Sequence, residues 1–441
     1  ATVSSSAAVL TAKTELHSTR LADEKHIEPP YLVLFRDQQN KYHLSWKVDA
    51  WSLEPMNRFY YFIDANSGKV IGKNARMCDI DVQGTAATGF NGTQTITTDS
   101  TAPGSYRLFE TGRNIYTHAP GPTNITDSDN NWTSTANYDN YATDAHWGTE
   151  MSHDFFLTLG RNGIDGMGMQ TDVQAHDGLY VNAYWSGTGM LFGDGDANQY
   201  YPLTSTEIVA HEFTHGVTQY TAGLIYAGES GALNESFSDI IGNTVRFIYS
   251  PSVATWMVGD QIVIPNMGGI PFRDMSNPNL FQCADTYGGL WFNNGDIVHY
   301  DSGIQNYWYY LLCVGGSGTN DIGNNFAVTG IGIQDAIQIT YRNLAVYLTP
   351  NSTFADAANF AAQSADDLFG ACSNQLIQTA NAWYAVGVGT PFSGVVTSAF
   401  SATPAISCSA PANVSFLNNS WNGTTYFWDF GDGNTSTATS P

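Results

Sequence analysis

Basic residues are scarce in this 441-residue chain: 16 Lys and Arg stand against 40 Asp and Glu, a formal net charge of −24 at pH 7. Phosphate backbones and anionic lipids are recognised by clustered cations, so nucleic acid and acidic membrane surfaces are excluded as expected partners. No apolar run is long enough to cross a bilayer; the best are broken by Gly or polar residues. Cysteine is sparse and unpatterned. Cys78, Cys283, Cys313, Cys372 and Cys408 include no CxxC pair, which argues against a cysteine metal cluster. A disulfide within the Cys283 to Cys372 region is compatible with the sequence, but the pairing is not readable from it. The opening "ATVSSSAAVLTAK" lacks an initiator Met, a basic flank and a long apolar stretch, so any signal peptide is expected to have been removed or to lie upstream.

What is present suggests two to four domains. The 43 glycines and 13% aromatic content favour turn-rich β structure in part of the chain. Residues 31 to 71 alternate apolar and polar side chains in "YLVLF", "YHLSWKVDAW" and "YYFIDANSGKVI", which predicts a small sheet with a "DANSG" hairpin turn. From about Asp79 to Pro122, Thr, Gly, Asn and Asp dominate, predicting short strands and exposed turns. Helical spacing covers 142–160, and further helices are expected near 205–220, 231–249, 302–314, 332–347, 353–369 and 373–386. After Gly389 short β signals return.

The chemistry concentrates in "VAHEFTHGVTQYT", Val209 to Thr221. Residues four apart share one helix face, so His211 and His215 can offer two ring nitrogens to one ion while Glu212 points about 100° away. "TSTE" at 204–207 has the form of a capping box that would start this helix. A catalytic zinc takes three protein ligands and keeps one position open. The extended motif, with Gly three and His six residues after the second His, is absent, since Thr218 and Thr221 stand there. "SGALNESFSD" instead supplies Glu235, twenty positions after His215, and one helical turn further Asp239, suited to accept the second N–H of a ligand His.

The segment "HEFTHGVTQYTAGLIYAGESGALNESFSD" resembles the active-site region of the thermolysin-like zinc metallopeptidases, and the resemblance runs from about Thr85 to Gly389. "NAYW" at 182–185, "GDGD" at 193–196, "FRDMSNP" at 272–278, "VHYDSGIQNYW" at 298–308 and "YLTPNSTFADAANFAAQSADDLFG" at 347–370 follow in the family's order. The resemblance implies an α+β fold: a β-rich catalytic lobe at 79–220 carrying the HExxH helix, a mainly helical lobe at 221–391, and zinc in the cleft between them. It implies zinc held by His211, His215 and Glu235, with Asp239 and Asn234 supporting the ligands. Glu212 would take a proton from the attacking water and pass it to the leaving amine. Tyr226 and His299 correspond to oxyanion donors. Arg273 corresponds to an arginine that binds a substrate carbonyl and braces the wall. Asn182 and the backbone of Ala183 would hold an extended substrate on an edge strand. Tyr200, Leu203, Ile208, Val258, Ile262 and Phe272 align with an apolar pocket for the residue after the cleaved bond.

Departures from the family pattern are informative. Arg246, Thr255 and Met257 replace acidic positions of a double calcium site, leaving Glu207 and Asp260, so that site is expected to be absent and Glu207 is read as a helix cap. Asp127, Asp129 and Asn131 stand at alternate positions, a spacing that suits calcium as well as a solvated acidic turn. Asn294 replaces an Asp expected to orient His299, with Asp296 nearby as a substitute. Residues 1–78 resemble the C-terminal part of the family's propeptide, implying an α/β piece that acts as an intramolecular inhibitor and folding chaperone, removed by cleavage between about Arg76 and Gln83. Residues 393–441, with "WDFGDGNTS" from Trp428, resemble the start of a PKD domain, an immunoglobulin-like sandwich. The expectation is a secreted, extracellular bacterial endopeptidase precursor, a monomer acting on proteins or peptides. An adhesion protein with an inactive peptidase fold is disfavoured by Glu212 and three intact ligands. An exopeptidase is disfavoured by the lack of a motif for a free amine.

Overall fold

The computed structural model describes all residues except 1, 19, 22–26, 38–39, 55, 76–80, 103, 137–138, 294–296, 393–397, 405–412, 421–422 and 424. Two compact units are present, residues 1–82 with 99–103 and residues 83–98 with 104–441. The expected processing segment, 76–83, lies largely outside the described residues.

In the first unit, α1 (Ser5–Glu15) precedes β1 (Arg20–Leu21), β2 (Tyr31–Arg36), β3 (Tyr42–Glu54), β4 (Met56–Asp64) and β5 (Val70–Ala75). These strands form an antiparallel sheet in the order β1-β3-β4-β5, with β2 also paired to β3. Ala8, Ala12 and Leu16 bury against Val48, Ala50, Tyr61 and Ile63. The small Ala residues let α1 lie close to the strands. The expected turn closes β4 onto β5, and Asp64 Oδ1 accepts the N–H groups of Asn66 and Ser67. These bonds hold the Asp64 carboxyl down at a pKa of about 2, its backbone bond from Ser67 contributing most.

Next in the chain, β6 (Asp81–Ala87) and β7 (Thr93–Ala102), each divided between the two units, then β8 (Ser105–Arg107), β9 (Phe109–Glu110), β10 (Ile115–Ala119), β11 (Thr123–Asn124), β12 (Thr126–Asp127) and β13 (Asn131–Trp132) of the second unit lead to α2 (Asp139–Thr158). Then come β14 (Thr171–Gln174), β15 (Ala183–Trp185) and β16 (Gly189–Phe192). One sheet runs β12-β8-β7-β6-β13; the other runs β11-β10-β14-β16-β15, with β9 on β10. Strand β15 lies at the edge of its sheet, paired only to β16 and antiparallel to it.

The helical part follows as α3 (Thr206–Gln219), α4 (Gly228–Tyr249), α5 (Val298–Asp301), α6 (Gly303–Val314), α7 (Ile333–Arg342), α8 (Phe354–Phe369) and α9 (Asn374–Ala385), with a π-helical turn at Asn343–Tyr347. A two-stranded ribbon, β17 (Met257–Val258) and β18 (Arg273–Asp274), sits beside them in sequence. One apolar core runs from Ile115 to Val388 and includes Val209, Phe213 and Val217 of α3 with Phe237, Ile240 and Ile241 of α4. After residue 397 two hairpins, Phe400–Thr403 with Ser415–Asn418 and Trp428–Asp429 with Thr435–Ser436, share aromatic packing among Phe400, Phe416, Trp428 and Phe430.

Helices α3 and α4 position the site. They run antiparallel, because His211 meets Asp239 while His215 meets Asn234 and Glu235. Gly242 makes this approach possible: a Cβ there would stand 2.5 Å from the Glu207 carbonyl oxygen and 3.4 Å from the His211 nitrogen. Among the described residues, no helix is long and apolar enough to cross a membrane.

Candidate metal centre

Helix α3 begins where the sequence predicts, but the expected capping box does not form. Ser205 takes the N-cap position without a side-chain cap bond, and its hydroxyl donates instead to Glu207 Oε1 at 2.8 Å. Glu207 is also not a cap. Its side chain turns inward, accepting from Gly259 N at 3.2 Å and lying 3.7 Å from Arg246 Nη1, because a buried guanidinium holds it more strongly than a helix end does. Arg246 donates to Asp260 Oδ1 at 2.6 Å and to the Val253 carbonyl at 2.6 Å, and Thr255 donates to Asp260 Oδ2 at 2.9 Å.

One turn further along α3, His211 and His215 converge with Glu235. Their Nε2 atoms lie 3.0 Å apart, and each lies 3.5 Å from a Glu235 carboxylate oxygen. Among the described residues this is the group of three His, Cys, Asp or Glu side chains whose ligand atoms all fall within 4.8 Å of one another. The hydrogen bonds behind the rings set the tautomers. Asp239 Oδ1 lies 2.9 Å from His211 Nδ1 and, being a carboxylate, requires the proton there. Asn234 Nδ2 donates to the Leu224 carbonyl at 3.0 Å, which turns its Oδ1 toward His215 Nδ1 at 2.8 Å. Both Nε2 lone pairs therefore face the same point. Two buried carboxylate oxygens, Glu235 Oε2 and Glu212 Oε2, have no hydrogen-bond partner there. Two lone pairs and an orphaned carboxylate oxygen form a donor set that fits a tetrahedral N/O cation such as zinc.

Electrostatics reinforce this arrangement. Asp239 receives Arg273 Nε and Nη2, both at 2.7 Å, and Asn306 Nδ2 at 2.8 Å. Burial alone would raise its pKa, but Arg273 and His211 outweigh that and hold it far below the usual range. Burial also opposes ionisation of Glu235, where His215, His211 and His299 prevail and lower its pKa. For Glu212 burial wins and raises the pKa, against the pull of both imidazoles. Burial raises the Tyr226 pKa, with Glu235 adding to it, so the phenol keeps its proton. Partial burial lowers the His299 pKa.

Tyr226 donates to Glu235 Oε1 and lies 3.3 Å from His299 Nε2, which is 3.4 Å from Glu235 Oε2. Arg273 is turned onto Asp239 through two of its nitrogens. The partner residues raised for His299, Asn294 and Asp296, lie outside the described residues. A cleft of about 620 Å³ is lined by Asn182, Ala183 and Trp185 with His211, Glu212, His215, Tyr226, Glu235 and His299. A smaller hollow of about 80 Å³ continues past Glu212 between Leu203, Ile208, Val258, Phe272 and Arg273. Two of the six predicted pocket residues do not line it. Ile262 is fully buried in the core, and Tyr200 packs behind Phe272 with ring centroids 5.7 Å apart, its hydroxyl donating to the Ile270 carbonyl. Asp127 and Asp129 each accept the backbone N–H two residues ahead, at 2.9 Å.

Sequence reasoning missed Asn306 on Asp239, and Trp185 and Gln219 in the cleft wall. Gln219 was detectable: it continues the i, i+4, i+8 face of His211 and His215.

Comparison with known proteins fits this geometry. Residues 83–219 match the thermolysin metallopeptidase catalytic domain, and residues 222–388 match the alpha-helical domain of the same peptidases. The chain belongs to the thermolysin family of zinc metalloendopeptidases. A bacillolysin of Brevibacillus brevis is 38% identical over 375 residues, 81% of this chain and 66% of that protein. A bacillolysin of Bacillus caldolyticus is 35% identical over 388 residues, 82% of this chain and 70% of that protein. The chain thus spans roughly two thirds of the length of these thermolysin-family relatives. The precursor of protealysin, a metalloproteinase from Serratia proteamaculans, aligns with a TM-score of 0.50 and 28% identity, covering 63% of this chain and 85% of that one. The fold is accordingly the thermolysin-like pair of a β-rich catalytic domain and a helical domain.

Proposed function

We propose that this chain is the precursor of a secreted endopeptidase that hydrolyses peptide bonds with one zinc ion held by His211, His215 and Glu235. One observation carries the reading: two correctly tautomerised Nε2 atoms and a Glu235 carboxylate meet at a point beside the partnerless Glu212 Oε2. When bound, zinc supplies a Lewis acid that polarises a carbonyl and acidifies water. Glu212, its pKa raised by burial, takes the proton of the attacking water and delivers it to the departing amine. Tyr226 and His299 donate to the oxyanion as charge develops there. Arg273, locked on Asp239, orients that carboxylate toward His211 and closes the wall of the small hollow.

An extended peptide adds to the free edge of β15 at Asn182 and Ala183, and its residue after the scissile bond enters the hollow between Leu203, Ile208, Val258 and Phe272. Apolar Leu, Phe, Ile or Val is the preferred residue there. A peptide library cleaved mainly before Asp or Lys would overturn this preference. Residues 1–78 act as the chain's own inhibitor and folding aid; the likeness to a precursor supports this role. Residues 393–441 are read as part of a PKD sandwich, on the two aromatic hairpins. Calcium is proposed only at Asp127, Asp129 and Asn131.

The test is peptide hydrolysis by wild type and Glu212→Gln after removal of residues 1–78, with and without a zinc chelator. Wild type loses activity to the chelator, and Glu212→Gln retains zinc while its rate falls by about 10²–10⁴. Equal rates in the two proteins would rule the mechanism out.

A further inference from the structure

The cleft has an outer wall that the zinc chemistry does not use. It is the turn that joins β15 to β16. Along β15 the main-chain groups alternate: Gly193 N donates to the Asn182 carbonyl at 3.0 Å and Ser186 N donates to the Gly189 carbonyl at 2.9 Å. The even-numbered residues therefore pair inward to β16, and Ala183 and Trp185 present their N–H and C=O groups at the open edge. These open groups are what a strand-like peptide would pair with.

Gln219, the last residue of α3, grips this turn. Its Oε1 accepts from Trp185 Nε1 at 2.8 Å, and its Nε2 donates to the Gly187 carbonyl at 3.2 Å. An independent contact seats the same turn on α3. A Cβ on Gly216, the residue after His215, would stand 3.4 Å from Trp185 Cε2, so the indole lies directly over the helix. Gln219 itself is exposed and contributes nothing to the apolar core. Both polar ends of one exposed amide are thus committed to a single turn at the mouth of the cleft.

We propose that Gln219 is a positioning residue that holds the Trp185–Gly187 turn in place and so sets affinity for the substrate residues that precede the scissile bond. The inference rests on the peptidase reading above. With the residue after the bond in the hollow beside Asn182 and Ala183, a peptide antiparallel to β15 runs its preceding residues past Trp185 and Gly187. A turn held in its binding shape spares the peptide the cost of ordering it.

The test uses the zinc-loaded full chain, assayed as purified and after incubation that allows cleavage between its two units. Two quenched peptides share the same residues after the bond. One carries four residues before it and the other carries a single blocked residue. Gln219→Ala and the shape-matched Gln219→Met raise KM for the long peptide about three- to tenfold, the worth of one or two net hydrogen bonds. They leave kcat, zinc content and the short peptide within about twofold of wild type. Trp185→Phe gives the same selective KM rise, and combining it with Gln219→Ala adds little more, since both remove one bracket. A KM change equal for both peptides, a kcat loss common to both, or no change in either overturns the assignment while leaving the peptidase reading intact. A wild type idle on both peptides in both states sinks that reading and this one with it.

Discussion

The two ends of the α3–α4 pair hold buried acids in opposite ways. Toward the C-terminal end of α3, His211, His215 and Glu235 face one another, with the Glu235 and Glu212 Oε2 oxygens lacking any hydrogen-bond partner. At the N-terminal end, Glu207 and Asp260 flank Arg246, whose side chain is 1% exposed. The first cluster has no cation of its own; the second holds Arg246, 3.7 Å from a Glu207 Oε2 that likewise lacks a hydrogen bond. Identical helix packing therefore serves chemistry at one end and architecture at the other. The Arg246 bracket also reaches the site, because it holds the Met257 and Val253 carbonyls and so suspends the ribbon bearing Val258 and Arg273.

Breaking the closed end has the largest expected effect on stability. Arg246→Met leaves the buried Glu207 carboxylate without its cation, beside a part-exposed Asp260, and costs about 3–5 kcal/mol, measurable as a shift of the urea midpoint with zinc present. Unchanged stability would mean that the bracket is not the brace proposed. At the open end the effect moves from stability to rate. Tyr226→Phe removes a half-exposed phenol at the cleft rim and lowers kcat by about 10²-fold, with KM nearly constant; steady-state kinetics on one peptide decide it.

The smallest effect belongs to a third cluster, in which Arg113 faces Glu110, Glu150 and Asp154. Burial, then the Glu110 carboxylate, raises the Glu150 pKa and so favours its protonated form. A carboxyl raised in the folded state contributes stability below its unfolded pKa and loses it as pH rises through the folded value. Glu150→Gln should therefore flatten the fall of Tm between about pH 5 and pH 8. An unaltered slope in thermal melts would place the proton elsewhere.

Much of the site was legible because its signals are local. The four-residue spacing of His211 and His215, and of Glu235 and Asp239, is a property of a helix and needs no tertiary knowledge. The fold was legible through motifs in family order. What escaped depended on contacts between distant segments. The capping-box letters at 204–207 are present, yet Glu207 answers to Arg246, 39 residues on in another helix. Tyr200 and Ile262 are apolar and near the pocket in sequence register, but packing turns one behind Phe272 and the other into the core. The helix Ser5–Glu15 was not placed from the residues, because its buried face is made of Ala8 and Ala12, too small to mark a periodicity.

The most direct measurement is zinc stoichiometry, by elemental analysis of the purified protein, read beside peptide hydrolysis in wild type and Glu235→Gln. One zinc per wild-type chain, with both metal and activity lost in Glu235→Gln, is the predicted result. A Glu235→Gln protein that keeps a full equivalent of zinc and cleaves at the wild-type rate would contradict it.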